Sequence, residues 1–419
     1  MNKLKFRLPL LVVALCCASV VSADDTKIEE LLDANSHPVI LGDDGISGPG
    51  ADLIIRLAED AQFVALGEEH YNYYIPEIST ALFGELQEHH DFRYFMTEQD
   101  PVMMELMSRP PAKGDPNRIN DLARRYPMGV TFNSDEELKM LADIGRISST
   151  EFDVIWGCDQ AAGVTHTLDQ LALELGDEEL LAFVQEKRDM AASKEHVRDF
   201  KTGFFISDTA PSWFAELRST IDPEPGSREA WLIDVLINGN TVFDYYHRGE
   251  QGLVPGYYEN NRFREEHLKD LCLDKYRQAE GADAYPKALM KFGSWHLYEG
   301  LSPTLMHTIG DFFASVARFN GFEFLSINFV SLPEDPEASM KQIGYAWPFI
   351  KDLDPDTFTV IDLRPFRHYR NRNLLEEFAG EEWLEEYKED FVRLVYGYDL
   401  LFFVGRTRPA TFTVVPQPD

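Results

Sequence analysis

Short apolar runs separated by helix-patterned segments dominate the hydrophobic pattern of this chain. The runs cover residues 62–66, 92–97, 152–156, 288–292, 322–329, 358–362 and 400–404. Such runs are typical of strands buried on both faces of a parallel sheet. Residues 76–90 have a helical pattern that begins with Pro76 and repeats an apolar residue every fourth position. The alternation predicts an α/β fold, with a central, mostly parallel sheet flanked by helices.

Residues 165–286 have a different pattern. A helix-like stretch at 168–190 is followed by turns rich in Pro and Gly at 222–227 and 249–256. We interpret this part as a helical insertion over the carboxyl ends of the strands, acting either as a lid or as a stabilising subdomain. It divides the α/β domain into a first part, 24–164, and a second part, 287–419. Residues 409–419 are expected to form a strand followed by a tail.

The amino terminus has the pattern of a signal peptide. Residues 1–23 combine three basic residues, an apolar run at 8–21 and a small-residue cleavage site ending at Ala23. The run is too short for a membrane span. Cys16 and Cys17 suggest a lipoprotein as an alternative, but Leu15 stands where a small residue is expected. We therefore predict cleavage after Ala23 and a periplasmic or secreted protein.

Charge narrows the range of partners. The full chain has 39 basic and 72 acidic residues, a net charge of −33. Loss of the three basic residues in 1–23 leaves 36 basic and 72 acidic residues, or −36. Such a chain repels nucleic acid phosphates and anionic membranes, so we expect neither as a partner and predict a small-molecule substrate or ligand. A merely solubilising surface also explains the charge. Composition carries no signal for self-association.

Cysteine usage excludes two structural classes. After cleavage only Cys158 and Cys272 remain, which allows at most one disulfide and rules out both a disulfide scaffold and a four-cysteine zinc site. Cys158 could act as a nucleophile or pack in the interior. A serine nucleophile is not favoured because the chain has no GxSxG motif, although Ser294 lies two residues before a histidine.

Polar residues directly follow four of the predicted strands. They are His70 with Glu68, then Glu98, Asp159 and His296. In open α/β sheets ligands bind beyond the carboxyl ends of strands, and neighbouring strands lie about 4.8 Å apart. The four clusters are therefore expected to meet around one pocket, although each residue alone also suits an ordinary structural role.

Each residue type suits a hydrolytic task. His70, oriented by Glu68 or Glu98, can accept a proton from water. His296 can hold a carbonyl oxygen or serve as the conjugate acid, and Asp159 can orient either imidazole. No cofactor is needed for this chemistry.

An arginine would complete the predicted site. Arg262, or Arg264 beside it, can neutralise developing negative charge. A divalent metal held by His70, Glu98 and His296 is the competing interpretation, although the chain has no HExxH spacing.

At these residues the sequence resembles the superfamily of erythromycin esterases, ChaN-like haem-uptake lipoproteins and Tiki metalloproteases. The matching motifs are GEEH at 67–70, Glu98, GCD at 157–159 and GSWH at 293–296, and the resemblance covers about 63–310. It implies an α/β fold with its site at the strand ends. The esterase branch implies His70 as the base for water, with Glu68, Glu98 and His296 in support.

The other branches imply other functions. The ChaN-like branch implies haem binding, through tyrosines such as Tyr71, Tyr73 and Tyr74, and the Tiki branch implies a metal-dependent peptidase. The motifs depart from the esterase pattern at two places. One residue instead of two separates the first Glu and His, and Gly293 stands where esterases carry the first histidine of a pair.

Overall fold

The computed structural model describes residues 28–42, 45–150, 153–196, 204–281, 283–333, 335 and 339–415, without the side chains of 381, 382 and 384. The predicted signal peptide lies outside these residues. The strands are β1 (Ser36–Gly42), β2 (Gly45–Ser47), β3 (Ala61–Glu68), β4 (Tyr94–Thr97), β5 (Ile155–Gly157), β6 (Ala288–Gly293), β7 (Glu323–Leu332), β8 (Phe358–Asp362) and β9 (Leu400–Arg406).

Helices cover most of the remaining described chain. They are α1 (Ile28–Asn35), α2 (Pro49–Ala58), α3 (Ile75–His90), α4 (Pro101–Ser108), α5 (Pro116–Arg125), α6 (Asp135–Ile147), α7 (Thr165–Glu174), α8 (Glu178–Glu195), α9 (Phe205–Asp208), α10 (Pro211–Ile221), α11 (Arg228–Glu250), α12 (Tyr257–Glu280), α13 (Ile309–Asn320), α14 (Met340–Ile343), α15 (Trp347–Ile350), α16 (Tyr369–Ala379) and α17 (Glu381–Gly397). Short 3-10 turns lie at Ser294–His296, Gly344–Ala346 and Arg364–Arg367.

The strands form one sheet in the order β2-β1-β8-β9-β7-β3-β6-β4-β5. From β9 to β5 all neighbours pair in parallel, whereas β8 and the β1–β2 hairpin pair antiparallel. The predicted α/β class with a mostly parallel sheet is confirmed. The hairpin was not predicted, because β1 is a largely exposed strand that mixes polar and apolar residues.

Side-chain alternation along β3 builds a core on each face of the sheet. Val64 and Leu66 belong to one buried cluster, while Phe63 and Ala65 belong to the other. Successive side chains of a strand point to opposite faces, so a strand apolar at every position needs helices on both sides. Every residue of β3 is buried. This fixes the register of the strand whose end carries Glu68.

Helices α7 to α12 occupy the chain between β5 and β6. They have an apolar cluster of their own, which includes Leu168, Phe214 and Leu236. The continuous helix expected at 168–190 is interrupted, because Asp177 accepts hydrogen bonds from the amides of Glu179 and Leu180 and so caps a new helix. In the described part of the chain, no helix is both long and apolar enough for a bilayer.

A disulfide joins the sheet to α12. Cys158, directly after β5, bonds to Cys272 in the middle of α12, with the two Cα atoms 5.5 Å apart. The nucleophile role considered for Cys158 is therefore wrong, whereas its expected packing in the interior is confirmed. Both cysteines are buried, and their bond fastens to the sheet the helix that also carries Arg264.

The expected strand in 409–419 is wrong for the described residues up to 415. Pro409 forms an isolated bridge with Asn72. The residues after it instead use threonines to bond the start of α6, with Thr411 donating to Glu136 at 2.6 Å and the Thr413 amide donating to Asp135 at 2.9 Å.

Candidate active site

The polar clusters after β3, β4 and β6 open into one cavity of about 680 Å³, which we call the rim cavity, whereas Asp159 after β5 does not line it. Its lining is mostly polar and charged, with Trp295, Tyr298, Tyr345 and Ile343 supplying apolar surface. The lining residues are Glu68, Glu69, His70, Glu98, Arg264, Gly293, Ser294, Trp295, His296, Tyr298, Pro303, Ser331, Pro333, Lys341, Gln342, Ile343, Tyr345 and Asp390. The structure thus brings His70, Glu68, Glu98 and His296 to one place.

His70 lines the rim cavity, and Glu68 contacts one of its two ring nitrogens. Its Nδ1 is 3.2 Å from Glu68 Oε1, and its Nε2 is 3.8 Å from Glu98 Oε2. The ring stacks on Phe132, with centroids 4.0 Å apart and planes at 14°. About a third of the side chain, 34%, is exposed. A ring fixed in this way can keep Nε2 free for a proton from the cavity.

Electrostatics raise the pKa of His70. Burial alone would lower it, but the carboxylates of Glu98 and Glu68 outweigh burial and lift the pKa above its ordinary value of 6.5. The carboxylates stabilise the imidazolium, which makes the ring a better proton acceptor.

A buried lysine holds Glu68 in place. Lys291 Nζ on β6 is 2.7 Å from Glu68 Oε2 and 3.0 Å from Glu137 Oε2 on α6. The lysine is only 1% exposed. Burial works to raise the pKa of Glu68, but the charge of Lys291 and the contact with His70 outweigh it, so the pKa of Glu68 lies below its ordinary value. Glu68 is therefore an anion aimed at His70.

Glu98 lies between the two imidazoles. Its Oε1 is 3.4 Å from His296 Nε2 and accepts a hydrogen bond from Arg264 Nη2 at 2.6 Å, while its Oε2 accepts from the Gly293 amide at 2.7 Å. Burial disfavours the charged carboxylate, but His296 and Arg264 outweigh burial and hold the pKa of Glu98 well below its usual range.

His296 is fixed at both ring nitrogens. Nδ1 lies 2.6 Å from Glu265 Oε1, and Nε2 lies 3.1 Å from Arg264 Nη1. Glu265 in turn accepts a hydrogen bond from the Ile309 amide at the start of α13. Because Arg264 can only donate, this arrangement fits a neutral ring. Burial lowers the pKa of His296, whereas Glu98 and Glu265 raise it by more, so the ring can also carry a proton.

The structure selects Arg264 instead of Arg262. Arg262 is exposed on α12 and does not line the rim cavity, so we transfer the expected charge-stabilising role to Arg264. Asp159 also differs from expectation. It is buried and contacts neither imidazole, but it accepts from Arg264 Nε at 3.0 Å and Nη2 at 2.9 Å. Asp159 therefore positions the arginine.

Glu69 forms another part of the wall. It accepts hydrogen bonds from the amide and the hydroxyl of Ser331 on β7. Burial raises the pKa of Glu69 to about 7, against which the Ser331 hydrogen bonds act only in part. A carboxyl group that is close to half protonated near neutral pH thus faces the same cavity.

Two of the three residues proposed as metal ligands are hydrogen-bonded to an arginine side chain. Arg264 bonds both Glu98 and His296, at 2.6 and 3.1 Å. Within the described ranges, no group of three or more His, Cys, Asp or Glu side chains is arranged to hold a metal ion. These donors do not form the open coordination set that a catalytic metal requires.

The tyrosines suggested for haem lie elsewhere. Tyr73 and Tyr74 are covered by Arg408, whose guanidinium carbon is 4.4 and 5.3 Å from their ring centroids and whose Nε donates to the Tyr74 hydroxyl. Tyr71 packs edge-on against Phe132. None of the three lines the rim cavity, so they do not fit a haem bound there.

Several site residues were missed from the sequence. Lys291, Glu137, Glu265 and Phe132 were not among the predicted site residues. One signal was present: Lys291 interrupts an otherwise apolar strand, and a lysine is almost never buried without a partner. The others depend on how α6, α12 and the loop before α6 pack.

Three solved structures have a fold similar to that of this chain over most of its length. A Bacillus cereus protein superimposes with a TM-score of 0.58 at 15% identity, covering 93% of this chain and 98% of its own. A succinoglycan biosynthesis protein gives 0.54 at 16% identity, with 92% and 97% covered. A histidine-to-asparagine mutant of the erythromycin esterase EreC, in its open conformation, gives 0.52 at 13% identity, with 87% and 95% covered. The chain has the erythromycin esterase fold.

The predicted resemblance is therefore confirmed at the level of the fold. At these identities the likeness reaches no further, because one fold hosts unrelated activities. No protein-family model and no curated protein matches the sequence.

Proposed function

We propose that this chain is an exported hydrolase that cleaves an ester, lactone or amide with a water molecule activated by His70. One observation carries the proposal: His70 and His296 lie on either side of Glu98, at the wall of one polar cavity. The fold likeness to an erythromycin esterase supports a hydrolase but says nothing about the substrate.

The first step forms the carbon–oxygen bond. Nε2 of His70 takes a proton from water, and the resulting hydroxide oxygen attacks the carbonyl carbon of the substrate. The imidazolium is stabilised by Glu68 and Glu98, which lie 3.2 and 3.8 Å away. The carbonyl oxygen becomes an anion, and Arg264, the cation that lines the cavity beside Glu98, stabilises it.

The second step breaks the bond to the leaving group. The tetrahedral intermediate collapses, the carbonyl re-forms, and the leaving oxygen or nitrogen takes a proton from a protonated imidazole. His296 suits this step because Glu98 and Glu265 raise its pKa and hold its ring in one orientation. The products are a carboxylic acid and an alcohol or amine. His70 then releases to solvent the proton that it took from water, and His296 regains one from solvent, so atoms and protons balance over one turnover.

Two features support export. The signal-peptide pattern at 1–23 is one. The Cys158–Cys272 disulfide is the other, because disulfides persist mainly in oxidising compartments such as the periplasm or the exterior.

A substrate panel tests the proposal. Purified protein is assayed against esters, lactones and amides, with and without a chelator, alongside His70→Ala, His296→Ala and the control His89→Ala. His89 is half exposed on α3 and pairs with Glu85 outside the rim cavity. We expect a fall of about 10²- to 10⁴-fold in kcat for His70→Ala, none for His89→Ala, and no effect of chelator.

Three outcomes would overturn this assignment. Turnover that survives both His70→Ala and His296→Ala would exclude the proposed base and acid. Turnover abolished by chelator and restored by a divalent ion would favour the metal-dependent alternative. Absence of all turnover, together with a Soret band on haem titration, would favour a ligand-binding protein.

A further inference from the structure

A second cavity, of about 400 Å³, lies between α4, the loop after it, α5 and helices α7 and α11. It shares no lining residue with the rim cavity. Its apolar lining comes from Val102, Leu106, Pro110, Pro111, Ala112 and Leu122. A concave, mostly apolar space of this size is typical of small-molecule sites.

Arginines surround this apolar lining. Arg109, Arg118, Arg125 and Arg228 contribute to the cavity, against two acidic residues, Glu105 and Asp121. The whole chain has 39 basic and 72 acidic residues. The balance of charge at this cavity is therefore the reverse of that in the chain, and we call it the arginine cavity.

The ion pairs beneath the arginine cavity leave positive charge in excess. Lys275 Nζ is 2.7 Å from Glu105 and 2.9 Å from Asp153. The same two carboxylates also bind Arg228, at 2.5 Å from Glu105, and Arg109, at 2.6 Å from Asp153. Three cations thus share two anions, in a region where Lys275 and Glu105 are buried.

Arg118 adds a further charge at the mouth. It is exposed on the first turn of α5 and forms no ion pair within 4.0 Å among the described residues. Its neighbour Asp121 is 3.4 Å from Arg124, which does not line the cavity. An anion placed at the mouth would therefore meet Arg118 without displacing a carboxylate.

We propose that the arginine cavity binds an anionic amphiphile, a linear alkyl chain that ends in a carboxylate or phosphate. The alkyl chain lies along Val102, Leu106 and Leu122, and the anionic end lies at Arg118 and Arg109. Burial of the chain supplies affinity and the excess positive charge supplies selectivity for an anion. The site is independent of the hydrolase proposal, because neither cavity borrows residues from the other.

Calorimetric titration tests this site with hexanoate, octanoate and decanoate below their micelle concentrations, and with decyl phosphate, decanol and decyltrimethylammonium. We expect saturable binding of the carboxylates, tighter by about three- to four-fold per added methylene until the cavity is filled. Decanol should bind more weakly and the cation not at all. Comparison of decanoate with decyl phosphate identifies the preferred anion.

Two variants on α5 provide a matched pair. Arg118→Gln should weaken decanoate binding about five-fold, whereas Arg124→Gln, which changes net charge equally, should not. Leu106→Gln should weaken it through the apolar contact, and His70→Ala should leave it unchanged. Equal binding of decanol, equal losses in the two arginine variants, or no saturable binding of any anion would overturn the proposal.

Discussion

Arg264 Nη2 lies 2.6 Å from Glu98 Oε1, although 166 residues separate the two in the chain. The contact crosses from the sheet to α12, which follows the other helices between β5 and β6. It allows a buried carboxylate, next to two histidines, to remain charged. The helices inserted between β5 and β6 are therefore part of the site's electrostatics, whether or not they also move as a lid.

Arg264→Gln should abolish turnover and destabilise the fold. The change leaves Glu98 and Asp159 buried without their cation, and breaking a buried ion pair costs about 3–5 kcal/mol. Urea unfolding and kcat measure the two effects. Arg262→Gln, two residues away and exposed, should change stability by less than about 0.5 kcal/mol. Similar losses in both variants would contradict the assignment of Arg264.

The dependence of kcat/KM on pH should reveal the protonation of His70. The base must be unprotonated, so kcat/KM should fall as pH drops through a pKa that lies above the ordinary 6.5. Glu68→Gln removes a carboxylate that raises this pKa, and the acidic limb should move to lower pH as the maximum rate falls. Glu85→Gln, on α3 beside His89, serves as the control. A limb that stays in place or moves upward in Glu68→Gln would refute the role of Glu68.

Lys291→Met should destabilise the protein by about 3–5 kcal/mol, because Glu68 and Glu137 then face each other without a cation. Adding Glu137→Leu should recover part of the loss by removing one of the two anions. The exposed Lys139→Met is the control. Chemical denaturation measures all three, and an unchanged stability in Lys291→Met would show that the buried pairs contribute nothing.

Glu69→Gln should stabilise the protein at alkaline pH. The pKa of Glu69 is about 7 in the folded chain, against an ordinary value of 4.5, so its favourable contribution is complete below pH 4.5 and is lost as pH rises through 7. Glutamine does not titrate, and the advantage above pH 7 should approach about 3 kcal/mol. Tm at pH 5 and pH 8 measures it, with the exposed Glu77→Gln as control. An equal difference at both pH values would argue against a raised pKa.

The double variant Cys158→Ala/Cys272→Ala should lose about 4 kcal/mol of stability, because the disulfide closes a loop of 114 residues. The rate should also fall, since the same bond fastens α12, which carries Arg264 and Glu265. Thermal unfolding and kcat under identical conditions measure both. Full activity in the variant would show that packing alone positions α12.

The ends of the parallel strands could be predicted from the sequence, and so could the site residues that lie there. Four of the parallel strands, β3, β4, β5 and β6, are short apolar runs followed by polar residues, so His70, Glu98 and His296 could be assigned to one rim from sequence alone. The β1–β2 hairpin could not, because β1 has an apolar run of only three residues, Val39 to Leu41, of which only Val39 is buried.

To choose between Arg262 and Arg264, one must know which face of α12 packs against the sheet. Residues two apart on a helix point about 200° away from each other, so only one of Arg262 and Arg264 can face the sheet. Arg264 precedes buried Leu268 by four residues and Cys272 by eight, which places it on the packed side. This spacing could be read from the sequence, but the direction in which the axis of α12 crosses the sheet could not.

The division of charge along the chain bears on the order in which the protein can mature. The buried acids Glu68, Glu98, Glu137 and Asp159 all precede residue 160, whereas their cations, Arg264 and Lys291, follow residue 260. During synthesis the early strands emerge first. They carry carboxylates whose burial without a partner costs a large free energy. We therefore expect the early strands to remain unpacked, or to carry protonated carboxyl groups, until the chain beyond residue 260, which contains the counterions, has been synthesised.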